Sequence, residues 1–287
     1  MKQSGMSRRT FAGMVGGTAA AMATRGAWAE GARLTYGVQM YELREMAKTD
    51  LPKVFSTIRD AGFEQVELYP IAYRVPAKEL AAMVKDAGLA CVSAHFDYDG
   101  LEGKVAYAKE LGLGYMVCPM LPKSGQNNLA GFRAAAELFN KVGKLAQQQE
   151  MQFVFHNHCY EFAPMEGTTG FATLMQHTDP ALVKLEVDCY WLTQAGQDPV
   201  SFLKAHADRA VLLHLKDRMA GAPKGYDMDS GGEHMAEMGK GTIPWPAILA
   251  EGRSLGIQYA FVDQDFTRMP IPESLKASRA YLRGIRY

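Results

Sequence analysis

Beyond residue 30 the chain alternates two hydrophobic rhythms. Short runs rich in β-branched and aromatic residues recur eight times: LTYGVQMY (34–41), FEQVELY (63–69), LACVSAHF (89–96), YMVCPM (115–120), MQFVFHNH (151–158), LVKLEVDCYW (182–191), AVLLHLKD (210–217) and IQYAFVDQD (257–265). Each reads as a strand. Between them lie segments with apolar residues three or four apart. In DLPKVFSTIRDAG, Leu51, Val54, Phe55 and Ile58 share a helical face, and Gly62 ends it. PAKELAAMVKDAG runs from Pro76 to Gly88, and NLAGFRAAAELFNKVGKLAQQQE is the longest such segment. Pro at the start and Gly at the end is ordinary helix punctuation. Eight strand–helix alternations predict parallel strands joined by crossover helices. In about 250 residues the natural closure is a single-domain α/β fold, a (β/α)8 TIM barrel over residues 30–287. An open doubly wound sheet would carry a Gly-rich turn after its first strand, and GVQMYELRE has none.

The strands share an oddity: they end in polar residues. Side chains alternate faces with period two. If Phe153 and Phe155 face the helices, then Val154, His156 and His158 face the barrel mouth. The same parity sends Leu185 and Val187 outward. It sends Asp188, His214, Lys216, Phe261, Asp263 and Asp265 inward, and Gln39, Glu67 and His95 end the first three strands. Seven of eight strands thus aim polar groups at one place, which burial would penalise without a shared purpose. His156, Asp188, His214 and Asp263, one from each of strands five to eight, form a mixed nitrogen and oxygen donor set. Such a set suits a divalent metal (Mn, Zn, Co or Fe) with positions left for substrate. A salt-bridged cluster without metal is the competing reading. The long segment 218–241 follows strand seven, so it belongs to the face where such barrels keep their chemistry.

Composition narrows the partners. The 31 Lys and Arg balance 31 Asp and Glu, so there is no electrostatic reason to expect nucleic acid or an anionic membrane. No later stretch has the run of about 18 apolar residues of a membrane span. The N-terminus has Arg8 and Arg9, a small-residue apolar stretch, then Ala27-Trp28-Ala29. Residues 1–29 read as a twin-arginine export signal, which places the mature chain in the periplasm. Cys91, Cys118, Cys159 and Cys189 lack C-x-x-C spacing and sit in or beside strands, as buried thiols do.

GVQMYELRE, EQVELY, FHNHCYEF, LEVDCYWLTQAG, LLHLKD, GKGTIPWPAIL and FVDQD, in this order from about Arg33 to Ile285, resemble the xylose-isomerase-like TIM-barrel superfamily. The sugar (phosphate) isomerase/epimerase branch is the nearest in character. The resemblance implies a metal-bound keto-sugar site. The superfamily's usual ligands are Glu, Asp, His and Glu on strands five to eight. Asp188 and His214 match the middle two; His156 stands at the first Glu and Asp263 at the last. Those two glutamates are the epimerases' acid/base pair. Their replacement implies that proton transfer passes to His158, Glu161 or Glu67.

The implied reaction is metal-assisted enolisation of a keto-sugar or 3-keto-glycoside. It leads to epimerisation, isomerisation or β-elimination. His158 is the expected base, or else it supports the metal ligands; Glu161 orients it or binds hydroxyls. Lys216 holds an oxyanion or pairs with Asp188 or Asp217. Gln39, His95, Tyr190 and Trp191 are candidate substrate contacts. Glu233 and His234 either close over substrate or stay solvated. The expected partner is a small carbohydrate; a homo-oligomer is open. A non-catalytic sugar-binding barrel and an endonuclease IV-like phosphodiesterase are the alternatives. Neutral charge and the export signal weigh against the second.

Overall fold

The computed structural model describes residue 1 and residues 34–287. The expected export signal, residues 1–29, lies outside the described residues but for Met1. Eight parallel strands form a closed ring: β1 (Thr35–Gln39), β2 (Gln65–Leu68), β3 (Ala90–His95), β4 (Tyr115–Cys118), β5 (Gln152–His156), β6 (Val183–Asp188), β7 (Ala210–Leu215) and β8 (Tyr259–Val262). Closure comes from β8 beside β1, with Thr35 opposite Tyr259 and Val38 opposite Val262. The crossovers carry α1 (Leu51–Asp60), α2 (Ala77–Asp86), α3 (Val105–Glu110), α4 (Leu129–Gln148), α5 (Gly170–His177), α6 (Pro199–Ala205), α7 (Trp245–Ser254) and α8 (Ile271–Gly284). Among the described residues no helix is long and apolar enough to cross a membrane.

Local chemistry explains where these elements begin. Asp50, Asn128 and Asp198 each accept a hydrogen bond from a backbone N–H in the first turn of α1, α4 and α6, at 2.7–2.9 Å. Such caps satisfy donors that the helix itself leaves unpaired. The strands are shorter than the apolar runs that predicted them. The sixth run stops at Asp188, because one carboxylate oxygen of Asp188 caps a short helix, Cys189–Gln194, by accepting from the Trp191 N–H at 2.8 Å.

Two apolar regions result. Phe153, Phe155, Leu185, Val187, Leu213 and Val262 join the helices in the outer core. Val117, Val154, Leu212 and Phe261 fill the barrel itself. Gly37 makes room for Phe261: a Cβ there would sit 2.6 Å from its ring. Above this apolar plug the inward positions turn polar, and the strand register shifts at Val66/Glu67 and Leu185/Glu186. Such irregularities re-aim side chains.

Phe139 of α4 is fully buried and meets Phe153 and Phe155 at ring separations of 5.1 and 5.3 Å. Phe139→Ala is expected to destabilise the fold by about 3–5 kcal/mol, read from urea denaturation. Lys144→Ala on the exposed face of the same helix should stay within about 0.5 kcal/mol of wild type.

Candidate active site

Glu67, His95, His156, Glu186 and His214 meet at the centre of the barrel, all buried. His214 Nε2 lies 2.6 Å from Glu67 Oε2 and 3.1 Å from Glu186 Oε2. His95 Nε2 lies 2.8 Å from the Glu186 oxygen and 3.2 Å from the Glu67 oxygen. The two imidazoles, stacked 7° from parallel, therefore alternate with the two acidic groups. Burial works against charged His95, but Glu67 and Glu186 raise it to about 9. His214 is raised likewise, by Glu186 and Glu67 against its burial. The same imidazoles hold Glu67 well below the usual carboxylate range despite burial.

His156 differs. Burial and the neighbouring imidazoles of His214 and His158 push it well below the usual histidine value, so its ring is neutral. Its Nδ1 lies 3.1 Å from Glu186 Oε2 and must donate the hydrogen. That leaves Nε2 with a free lone pair, 3.8 Å from Asp188 Oδ2. His214 turns its second nitrogen the same way: Nδ1 lies 3.2 Å from Asp263 Oδ2 and 3.9 Å from Asp188 Oδ2. Of the four residues expected to hold a metal, Asp188, His214 and Asp263 bring one ligand atom each within 4.8 Å of one another, whereas His156 groups instead with His95, Glu186 and His214 and meets the first set at Asp188. The two glutamates orient the imidazoles from beneath, as partners of metal-bound histidines do.

Lys216 stands in the same place. Its Nζ is 2.5 Å from Asp263, 3.1 Å from Asp188 and 3.1 Å from Asp265. Burial opposes its charge, yet Asp188 and Asp263 raise it well above the lysine value. Asp263 is held low by Lys216 and His214 in spite of burial. Asp265, desolvated and beside Asp263, rises to about 7. Lys216 therefore pairs with Asp188, one of its two expected partners. The other, Asp217, instead accepts the backbone N–H groups of Arg218, Gly239 and Ile243 at 2.8–3.0 Å. That anchors the segment 218–241, which folds as a two-stranded ribbon (Asp217–Arg218 with Met235–Ala236) and a short helix, Met228–Gly232.

A cavity of about 400 Å³ opens above this cluster. Its floor includes His95, His156, His158 and Asp263; its walls include Tyr41, Arg44, Tyr69, Trp191 and Phe266; Met228, Asp229 and Glu233 close one side. Burial and Lys216 keep His158 neutral, and its Nδ1 has no hydrogen-bond partner. The Trp191 indole N–H is likewise unpartnered, 5.5 Å ring to ring from His158.

Several expected residues lie elsewhere. Tyr190 is core: it is fully buried, and its hydroxyl donates to the Gly231 carbonyl. The short helix that begins at Cys189 turns it away from the cavity. Gln39 is buried and accepts from the Tyr41 N–H. Glu67 lies below the cavity, in the central ring. Glu161 accepts the backbone N–H of His158 at 3.0 Å, so it supports the loop and not the imidazole. Of the loop pair, Glu233 lines the cavity and His234 does not.

Sequence reasoning did not single out other residues that the fold brings to this place. Glu186 was findable, since parity with Asp188 sends it inward. Tyr41 and Tyr69 were too, each two positions beyond an inward residue (Gln39, Glu67). Arg44 and Phe266 carry no periodic signal.

The chain matches the family described as the xylose isomerase-like TIM barrel over residues 55–284. An inosose dehydratase of Bacillus anthracis (strain CDC 684 / NRRL 3495) is 32% identical over 127 residues, 43% of this chain and 42% of that relative. The match thus spans about two fifths of the relative's length. A sugar phosphate isomerase/epimerase from Parabacteroides distasonis ATCC 8503 shares the fold at a TM-score of 0.73, with 24% identity, covering 90% of this chain and 98% of the other. A 3-keto-D-glucoside 4-epimerase from E. coli does so at 0.65, with 17% identity over 88% of this chain and all of the other, 100%.

Burial raises the Glu161 carboxyl from the ordinary 4.5 to about 8. Folding then takes up a proton between those values, so this residue's contribution to stability falls as pH rises through that window. The slope is about 1.4 kcal/mol per pH unit at most. Denaturation midpoints at pH 5, 6.5 and 8 should decline less steeply in Glu161→Gln than in wild type. An identical decline in both would show that Glu161 binds no extra proton.

Proposed function

The chain belongs to the xylose isomerase-like TIM barrel family, and on that premise we propose that it enolises a keto-sugar with a divalent cation. One observation carries the reading. His156 and His214 each give one nitrogen to a buried glutamate and turn the other toward the Asp188 and Asp263 carboxylates. The donor set fits a cation: Asp188, His214 and Asp263 each offer one ligand atom within 4.8 Å of the others, Asp263 Oδ1 is buried without a hydrogen-bond partner, and His156 Nε2 lies 3.8 Å from Asp188 Oδ2. Two imidazoles with two carboxylates suit Zn, Mn, Co or Fe. Held by these four residues, a divalent cation would polarise the ketone and acidify the neighbouring C–H.

The remaining chemistry belongs to the chain. His158 lines the cavity with a neutral ring and an unengaged Nδ1, and there it accepts the proton from carbon. The Trp191 N–H stands ready to donate to a substrate oxygen. Glu67 and Glu186 keep His214 and His156 from turning. Lys216 neutralises the Asp188 and Asp263 pair, which lies too close together to stay ionised alone. Trp191, Tyr41 and the segment Met228–Gly232 narrow the access of water. A proton delivered to the opposite face by solvent or a second group gives an epimer; departure of a β-substituent, which leaves with the proton His158 has taken up, gives elimination. The inosose dehydratase and the 3-keto-D-glucoside 4-epimerase are named for different outcomes on ketones. Enolisation beside the carbonyl is the step those outcomes share, and elimination is favoured by the relative with the higher identity.

With Mn or Zn added and keto-sugars supplied in deuterated water, wild type should place deuterium beside the carbonyl, followed by NMR. Asp188→Ala and His214→Ala should retain no metal after dialysis and lose exchange by at least about a thousandfold. Full exchange in either would end the metal reading. His158→Ala should keep its metal and lose about 100- to 10,000-fold; undiminished exchange would move the base to another residue.

A further inference from the structure

The charge and surface of the cavity say which sugar it takes. Four acidic side chains line it, Asp229, Glu233, Asp263 and Asp265, against two cationic ones, Arg44 and His95, and His95 is already paired with Glu67 and Glu186. Arg44 is already engaged: its guanidinium lies 4.0 Å over the Tyr41 ring and donates to the Tyr41 carbonyl at 2.8 Å. Lys216, just beneath, is held by three carboxylates. The short helix at the rim offers no anion site, because Asp227 already accepts from the N–H groups of its first turn. A phosphate ester would therefore find each side-chain cation already paired, and would compete with the ketone for the one cation the reaction needs.

Polarity also changes with depth. The floor is imidazole and carboxylate. The outer wall is aromatic, with Tyr41 and Tyr69 edge to face at 5.2 Å and Phe266 still 43% exposed. Of the large hydrophobic residues that remain exposed beyond residue 33, all four, Met219, Tyr226, Phe266 and Met269, lie on the two segments that follow β7 and β8. Of these four, Phe266 lines the cavity, and an exposed aromatic ring at a cavity mouth is where a ligand's apolar part gains by leaving water.

We infer that the substrate is an unphosphorylated glycoside, with its sugar ring on the histidine floor and an apolar or aromatic aglycone against Phe266 and the two tyrosines. The inference rests on the keto-sugar reading of the site but concerns binding, not turnover.

The test is a competition titration by saturation-transfer NMR on the full chain. Its probes are 4-nitrophenyl glycosides, methyl glycosides and sugar 6-phosphates of the gluco, galacto and manno series. In at least one series the aryl glycoside should bind about tenfold tighter than the methyl glycoside. The 6-phosphate should bind at least about a hundredfold more weakly than the methyl glycoside. Phe266→Ala should bring the aryl-to-methyl ratio close to one. Glu233→Lys should narrow the gap between phosphate and methyl glycoside. A 6-phosphate that binds as well as its methyl glycoside overturns the inference. So do equal aryl and methyl affinities, an aryl preference that survives Phe266→Ala, or a panel in which no aryl glycoside binds. Binding as stated without deuterium exchange would leave this inference standing and remove the enolisation reading.

Discussion

Two acidic side chains at the centre of the barrel, Glu67 and Glu186, set the conditions for everything above them. Ionised groups without solvent are expensive unless their partners are close and well aimed. Here the partners are His95 and His214, arranged so that each Nε2 faces one oxygen of each glutamate at 2.6–3.2 Å, with His156 Nδ1 a third nitrogen on the Glu186 oxygen at 3.1 Å. This alternation makes the ring self-neutralising. It also decides which nitrogen of His156 and of His214 points upward. The glutamates do not reach the cavity, yet the tautomer and aim of the groups that do depend on them.

The interior of the barrel is therefore graded along its axis. Val117, Val154, Leu212 and Phe261 close the bottom and exclude water. Above them sits the imidazole and carboxylate ring, then the cluster of Lys216 with Asp188, Asp263 and Asp265, then the cavity. Removing water below strengthens each electrostatic interaction above. Asp188 links the levels. One oxygen caps the helix Cys189–Gln194, and the other faces the imidazoles and Lys216. Helix geometry thus holds the Asp188 carboxylate in place without a dedicated support.

The segment after β7 is built by the same economy. Asp217, next to Lys216, turns away from the cavity and gathers three backbone N–H groups of its own loop. Gly241 allows that approach, since a Cβ there would fall 2.3 Å from the Asp217 carboxylate. Arg218 adds bonds to Gln194, Ala222 and Pro223 at 2.7–3.0 Å. Two adjacent charged residues, Lys216 and Asp217, therefore divide the work: one enters the site, the other ties down the loop that covers it.

The amino-acid sequence by itself determined the barrel. Eight apolar runs of period two, alternating with helical spacing, leave little else for a chain of this size. It also determined that His156, Asp188, His214 and Asp263 would point to one end, because parity along a strand is a local property. What tertiary structure alone decided is pairing across the ring. Glu67 and His214 are 147 positions apart, and His95 and Glu186 are 91 apart. Their contact depends on strand register and barrel closure, which no local pattern encodes. The fate of Tyr190 was settled the same way: a helix beginning one residue after Asp188 changed the period from two to 3.6 and turned an expected sugar platform into core. The apolar outer wall came from residues such as Arg44 and Phe266, on separate loops, and only closure of the ring brings them to one cavity.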